Sequence, residues 1–229
     1  FAFEAAMVMA REAIHHICVV DRGRLVGVIS ERDLFSMQRV GLVNLSKTVS
    51  RTNTIEGLAN LRSDIHALVD QMIAQGVRVA QITQMITMIN DRITRRLIEL
   101  CRRDTDELPP VSFSWLAFGS EAREEQTLKT DQDNGVIFSE PEGWSADDVR
   151  AALTPFFRRV NEALDACGYP LCEGNIMASN PDCCLSETEW RERFTRWIDQ
   201  GTPEHLLQAS IFFDFRIIDG APDAADDLR

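Results

Sequence analysis

WLAFGSEAREEQTLKTDQDNGVIF, the stretch from Trp115 to Phe138, decides how the rest of the chain is read. Trp115 to Phe118 is an apolar run of strand character, and Gly119-Ser120 interrupts it. Glycine lets a backbone bend and approach a ligand with no Cβ in the way, so the Ser120 amide and hydroxyl can face phosphate oxygens. A polar segment, residues 121–130, separates this turn from a second apolar run that opens with Asp131-Gln132-Asp133. If residues 131–138 form a strand, alternate side chains share a face, and Asp131 and Asp133 point the same way. Two carboxylates on one face can hold Mg2+ or Mn2+, hard cations that neutralise the attacking and leaving oxygens of an in-line displacement at phosphorus. Paired acids at the start of a strand are also common as plain solvated ends; the Gly-Ser turn ahead of them favours the metal.

An apolar strand, Gly119-Ser120, a ten-residue spacer and Asp131-Gln132-Asp133 together resemble the DNA polymerase β nucleotidyltransferase superfamily. More narrowly, GSEAREEQTLKTDQDNGVIF is similar to nucleotidyltransferases that carry CBS domains in front, relatives of the enzymes that uridylylate PII signal proteins. Gln132 replaces the apolar residue that most of the superfamily places between its aspartates, but suits this subfamily. The resemblance implies an α/β fold: a polymerase β-like domain with a mixed sheet, preceded by a partial CBS module and an α-helical hairpin. A helical C-terminal segment follows. It also implies a third carboxylate on a later strand. Residues 170–178 (PLCEGNIMA) are expected to supply that strand beside the Asp131 strand, with Glu173 as the candidate acid.

Composition narrows the partners. The chain has 24 Lys plus Arg against 36 Asp plus Glu, a formal net charge of −12, and no basic run. Nonspecific nucleic-acid binding needs clustered cations to displace counterions, so a small nucleotide is the expected ligand and nucleic acid is not. No apolar run approaches the roughly 18 residues of a membrane span. The six cysteines stand among apolar neighbours, with Cys183 and Cys184 adjacent, a poor framework for secreted disulfides. Buried thiols in a cytoplasmic protein are expected; a zinc site from the last four matches no familiar spacing. At 229 residues the chain can bury one large or two modest cores. It begins at Phe1, without an initiator methionine, and is taken as a piece of a longer protein.

In chain order, residues 3–16 have apolar positions at helical spacing, and residues 17–29 change to a two-residue period around Asp21-Arg22-Gly23, a helix and then a tight hairpin. Ser30 is the expected N-cap of a second helix with Asp33 as its capping-box partner. HHICVVDRGRLVGVISERDLF resembles most of one CBS motif, residues 1–40, and in that family the positions of Ser30 and Asp33 often contact adenine nucleotides. Capping alone also accounts for both residues. A single motif is half a CBS pair, so its partner is expected upstream or in a second subunit, which makes a homodimer the expected assembly.

Residues 41–54, with many small polar residues and no evident period, read as a linker. Asn53 and Glu56 look like a capping box opening a helical hairpin over residues 55–105. Leu58, Leu61, Ile65, Leu68 and Met72 form its first stripe, Gly76 breaks it, and Val79, Ile82, Ile86, Ile89, Ile93, Leu97 and Leu100 form the second. The expected catalytic domain covers residues 111–182. In it Ser145 and Asp148 cap a helix that Pro155 should kink or divide. Residues 183–229 are expected to be helical: Ser186 and Glu189 form a capping box, Trp190, Phe194, Trp197 and Ile198 share a face, Gly201 ends the helix, and Thr202-Pro203 starts another. Asp214 and Arg216 are expected to form a structural ion pair or a substrate contact.

The expected roles follow. Asp131 and Asp133 are catalytic and bind metal with Glu173; Gly119 and Ser120 cradle the phosphates; Arg123 neutralises triphosphate charge. Lys129 does the same or is a solvated surface residue. The expected activity is transfer of a nucleoside monophosphate from an NTP to a hydroxyl of a protein or small molecule, regulated through the CBS module. The alternatives are a catalytically weak nucleotide-binding regulator and a dimerisation scaffold.

Overall fold

The computed structural model describes residues 2–31, 33, 41–105, 108–221, 224–225 and 228. The chain opens with α1 (Ala2–Glu12) and the antiparallel pair β1 (His16–Asp21) and β2 (Arg24–Ser30). Arg22 and Gly23 both take positive φ, 49° and 78°, which matches the twist of a two-residue hairpin turn. Beyond β2, the Ser30 Oγ and amide both reach Asp33 Oδ2, at 2.6 and 2.9 Å, and the Asp33 amide returns to Ser30 Oγ at 3.2 Å. This is the expected capping box. Residues 34–40 lie outside the described residues.

The expected linker over 41–54 is instead mostly a helix, α2 (Gly41–Arg51). Leu42, Leu45 and Val49 are buried at spacings of three and four, a stripe obscured by the polar residues between them. Those residues do not break the helix, because their hydroxyls bond back one turn: Thr48 Oγ1 to the Asn44 carbonyl (2.9 Å) and Ser50 Oγ to the Ser46 carbonyl (3.2 Å). A short α3 (Ile55–Ala59) follows, capped by Thr54 and not by Asn53. Asn53 Oδ1 accepts from Arg96 Nη2 at 2.6 Å instead.

The hairpin itself is α4 (Arg62–Ala74) and the 25-residue α5 (Val79–Arg103), broken at Gly76 as expected. Both stripes are buried except at Val79, the first residue of α5, which is 74% exposed because no other described element covers the helix start there. On α5 three consecutive side chains reach three different parts of the protein. Asn90 Nδ2 donates to Gln126 Oε1 (2.9 Å), and its Oδ1 accepts from the Tyr169 hydroxyl (2.7 Å). Asp91 pairs with Arg216. Arg92 donates to the carbonyls of Ala10 and Arg11 at the end of α1, the latter at 2.8 Å.

A four-stranded mixed sheet in the order β5-β4-β3-β6 organises the second half of the chain. β3 (Phe113–Phe118) pairs antiparallel with β4 (Asn134–Phe138) and with β6 (Phe215–Asp219), and β4 pairs parallel with β5 (Cys184–Ser186). Between them lie a single turn, α6 (Gly119–Ala122), then α7 (Ala146–Ala166), α8 (Glu187–Gln200) and α9 (Pro203–Phe212). The two faces of the sheet bury different side chains. Trp115, Ala117, Val136 and Phe138 join the core made by α5 and α7, while Leu116, Phe118 and Ile137 pack with Trp190, Phe194 and Phe212 of α8 and α9. That is the alternation of a strand buried on both sides, and each of the larger side chains contributes roughly 1.5–3 kcal/mol.

Several expectations need correction. α7 starts at the Ser145–Asp148 capping box but runs through Pro155 undivided, with Phe156 and Phe157 packed against Phe113. The strand expected at 170–178 is a loop: the Asn175 amide closes a turn on the Cys172 carbonyl (3.0 Å), and Asn175 itself has φ 56°. β5 takes the place beside β4. The end of the chain is not wholly helical, because the period changes to two at Phe215 and β6 forms the far edge of the sheet. Ile217 packs on the α8 side and Ile218 on the α5 side. α8 carries the expected Ser186–Glu189 box and ends at Gly201 in left-handed conformation. Its Ile198 is 67% exposed and off the buried face.

Candidate active site

The Gly-Ser turn and the two aspartates meet at one end of β3 and β4. Gly119 leaves β3 with φ +52°, and its amide donates to the Asp214 carbonyl at 3.0 Å. A Cβ on Gly119 would stand 4.0 Å from Asp133 Oδ2, so the turn is bare on the side facing that carboxylate. A side chain here would be strained by the positive φ.

β4 begins at Asn134, not at Asp131 as expected. Residues 131–133 nevertheless run extended between two neighbours. On one side the Phe118 amide reaches the Asp133 carbonyl (2.9 Å); on the other the Gln132 amide reaches the Pro170 carbonyl (3.0 Å) and the Asn134 amide the Ile176 carbonyl (3.1 Å). The side chains alternate as in a strand: Gln132 is buried, Asp131 exposed and Asp133 half-buried.

Asp131, Asp133 and Cys172 bring their ligand atoms within 4.8 Å of one another. Cys172, which sequence reasoning assigned to a buried thiol, is half-buried, and its Sγ–H donates to Asp133 Oδ1 at 3.5 Å. Glu173, the expected third acid, is exposed on the loop and is not part of this group. With 170–178 a turn and not a strand, its side chain does not join the aspartates. No sequence signal singled out Cys172, since its neighbourhood depends on where that loop lies.

Burial raises the Asp133 carboxyl above its ordinary range and the negative charge of Asp131 raises it further, with the bond from Cys172 opposing. A divalent cation would offset both effects, so the donor set fits such an ion. The two carboxylates suit Mg2+ or Mn2+, and the thiol adds a softer donor.

Arg123 bridges Asp214 Oδ2 (2.7 Å) and Glu125 Oε2 (2.8 Å), so the expected Asp214–Arg216 pair does not form. Arg216 instead makes a two-pronged pair with Asp91, at 2.6 and 3.0 Å, and donates to the Glu121 carbonyl at 3.0 Å. Lys129 is exposed. Ser120 is half-buried, and its carbonyl accepts the Glu125 amide at 2.8 Å. The Glu121 side chain is buried; burial first, and then the charge of Asp91, push its carboxyl up to about 8, with Arg216 opposing. A cavity of about 590 Å3 lies at the opposite end of the sheet, lined by Ser112, Ser114, Ser139 and Gly220, and none of the expected site residues borders it.

A Gly-Ser turn opposite a pair of aspartates, on adjoining strands of a mixed sheet with helices on both faces, is the plan of a nucleotidyltransferase domain, and part of a CBS module precedes it. The chain belongs to the family described as Putative nucleotidyltransferase DUF294, which matches residues 63–204, and residues 2–39 match the CBS domain. The first match starts inside α4 and ends inside α9, so it takes in the hairpin as well as the sheet. Searches against curated proteins and solved structures gave no significant match.

Proposed function

We propose that this chain transfers a nucleoside monophosphate from an NTP to a hydroxyl, on a protein or a small molecule, and releases pyrophosphate. The observation that carries this reading is the convergence of Asp131 and Asp133 beside the bare backbone of Gly119. In the reaction the acceptor oxygen attacks the α-phosphorus; the new O–P bond forms as the bond to the pyrophosphate oxygen breaks. One of the two aspartates takes the hydroxyl proton. A bound Mg2+ or Mn2+ supplies charge neutralisation to the attacking and leaving oxygens. Asp131 and Asp133 hold that ion and orient it, and the turn at Gly119 and Ser120 receives the phosphates. Arg123 faces the triphosphate after giving up one of its carboxylate partners, and Lys129 adds charge from the surface. On this reading the CBS module senses adenine nucleotides at Ser30 and Asp33. It also pairs with a second copy, the protein is cytoplasmic, and its acceptor is a signalling protein, as for the PII-modifying enzymes it resembles.

A second reading, a nucleotide-binding regulator with weak chemistry, is favoured by one observation: Cys172, and not a third carboxylate, completes the donor group. Calorimetry with ATP, GTP, CTP and UTP, with and without Mg2+, tests both on this chain and on an Asp131→Asn, Asp133→Asn double variant. Binding that needs the ion and both aspartates supports the site, and pyrophosphate release then separates the enzyme from the regulator. Binding indifferent to both removes the nucleotide from this site.

A further inference from the structure

Three amide side chains next to the aspartates have no role in that chemistry and are almost wholly buried: Gln132 (3% exposed), Asn134 (3%) and Asn161 (1%). Asn161, on α7, joins the other two. Its Nδ2 donates to Gln132 Oε1 (2.8 Å) and to Asn134 Oδ1 (3.0 Å), and its backbone carbonyl accepts from Gln132 Nε2 (3.0 Å). Gln132 Nε2 also reaches the Tyr169 carbonyl at 2.8 Å. The network extends to the loop that carries Cys172: the Ser179 amide donates to Asn161 Oδ1 (3.0 Å) and the Ala178 amide to Asn134 Oδ1 (2.8 Å).

We propose that Asn161 is a positioning residue for the cation site. By holding Gln132, Asn134 and the 170–180 loop from one side, it fixes where Asp131, Asp133 and Cys172 stand on the other. The proposal rests on the reading of that group as a cation site.

Side chains alternate along 131–134, so a residue clamped at 132 sets the direction of its neighbours 131 and 133. An apolar residue at 132 would fill the same volume without needing any partner. Burying three amides gains nothing for packing and is costly if any bond is lost, because the interior offers no water in exchange. What the amides add is direction: each donor meets a named acceptor, so Gln132 has one orientation and the extended segment one register. Outer partners of this kind typically change metal affinity by 10–100-fold when removed.

The test is titration of the whole chain with MnCl2 by calorimetry, for wild type, Asn161→Ala and Gln132→Met, with an Asp131→Asn, Asp133→Asn control. Thermal unfolding of each is recorded without metal. A Mn2+ affinity lower by about 10–100-fold in Asn161→Ala that is folded at the titration temperature is the expected result. Affinity within about twofold of wild type, beside a lowered Tm, would overturn the proposal, since a purely structural residue moves only the Tm. If Asn161→Ala does not fold, the volume-conserving Gln132→Met decides by the same criterion. Wild type binding no better than the aspartate control defeats the cation reading and this inference together. Wild-type binding with unchanged variants defeats the inference alone.

Discussion

Arg216 grips Asp91 through both guanidinium nitrogens across 125 residues of sequence, and so ties the edge strand β6 to the middle of α5. Both partners are largely withdrawn from water, with side chains 25% and 9% exposed. Removing one leaves the other charge inside without compensation. Asp91→Ala and Arg216→Ala are each expected to lower stability by roughly 3 kcal/mol, and the double variant by clearly less than the sum. Urea unfolding of the three variants measures this; additive losses would show that the pair is not coupled.

Asp133→Asn should uncouple chemistry from folding. The neutral amide keeps the shape of the carboxylate and removes a charge that burial and Asp131 both disfavour. Unfolding free energy should stay within about 1 kcal/mol of wild type, while Mg2+-dependent nucleotide binding disappears. Retained turnover in this variant would remove Asp133 from the mechanism.

The thiol beside Asp133 should leave a mark on metal preference. Cys172→Ser is expected to weaken Cd2+ binding by more than about tenfold and to change Mg2+ binding little, because only the softer ion gains from sulfur. Competition titrations read the ratio. Equal losses for both ions would show that Cys172 shapes the loop and does not touch the ion.

Glu121 gives a pH signature. Its carboxyl ordinarily titrates near 4.5 and in the fold is pushed up to about 8. A raised acid pKa means that the folded state holds a proton the unfolded chain has released. Its contribution is therefore full below about 4.5 and is lost as the pH rises towards 8. Glu121→Gln removes this dependence, so the variant should gain on wild type by a few kcal/mol between those limits. Parallel stability curves for the two proteins over that window would show that Glu121 is not buried as a neutral acid.

What the sequence disclosed was local. Gly119-Ser120 and the aspartates could be read because their meaning rests on short spacings, and the Ser145–Asp148 and Ser186–Glu189 boxes because a cap and its partner are three residues apart. The stripes of α4 and α5 were plain for the same reason. α2 was hidden because its serines and threonines imitate a linker while satisfying the backbone carbonyls one turn behind. β6 was hidden because the apolar run from α9 continues into it and only the period changes. The partners of Asp133, Gln132 and Arg216 are set by loops and helices packed from elsewhere in the chain. No spacing announces that Cys172 meets one aspartate or that Asn161 lies behind both.

Asn90, Asp91 and Arg92 occupy less than one turn of α5 and engage Tyr169 and Gln126, β6, and the end of α1. One residue added or deleted earlier in that helix would rotate all three by roughly 100° and slide them by about 1.5 Å. All three attachments would go out of phase together, with no neighbouring position able to replace them. The span from Val79 to Asn90 is thus a fixed ruler, whose length sets three attachments at once.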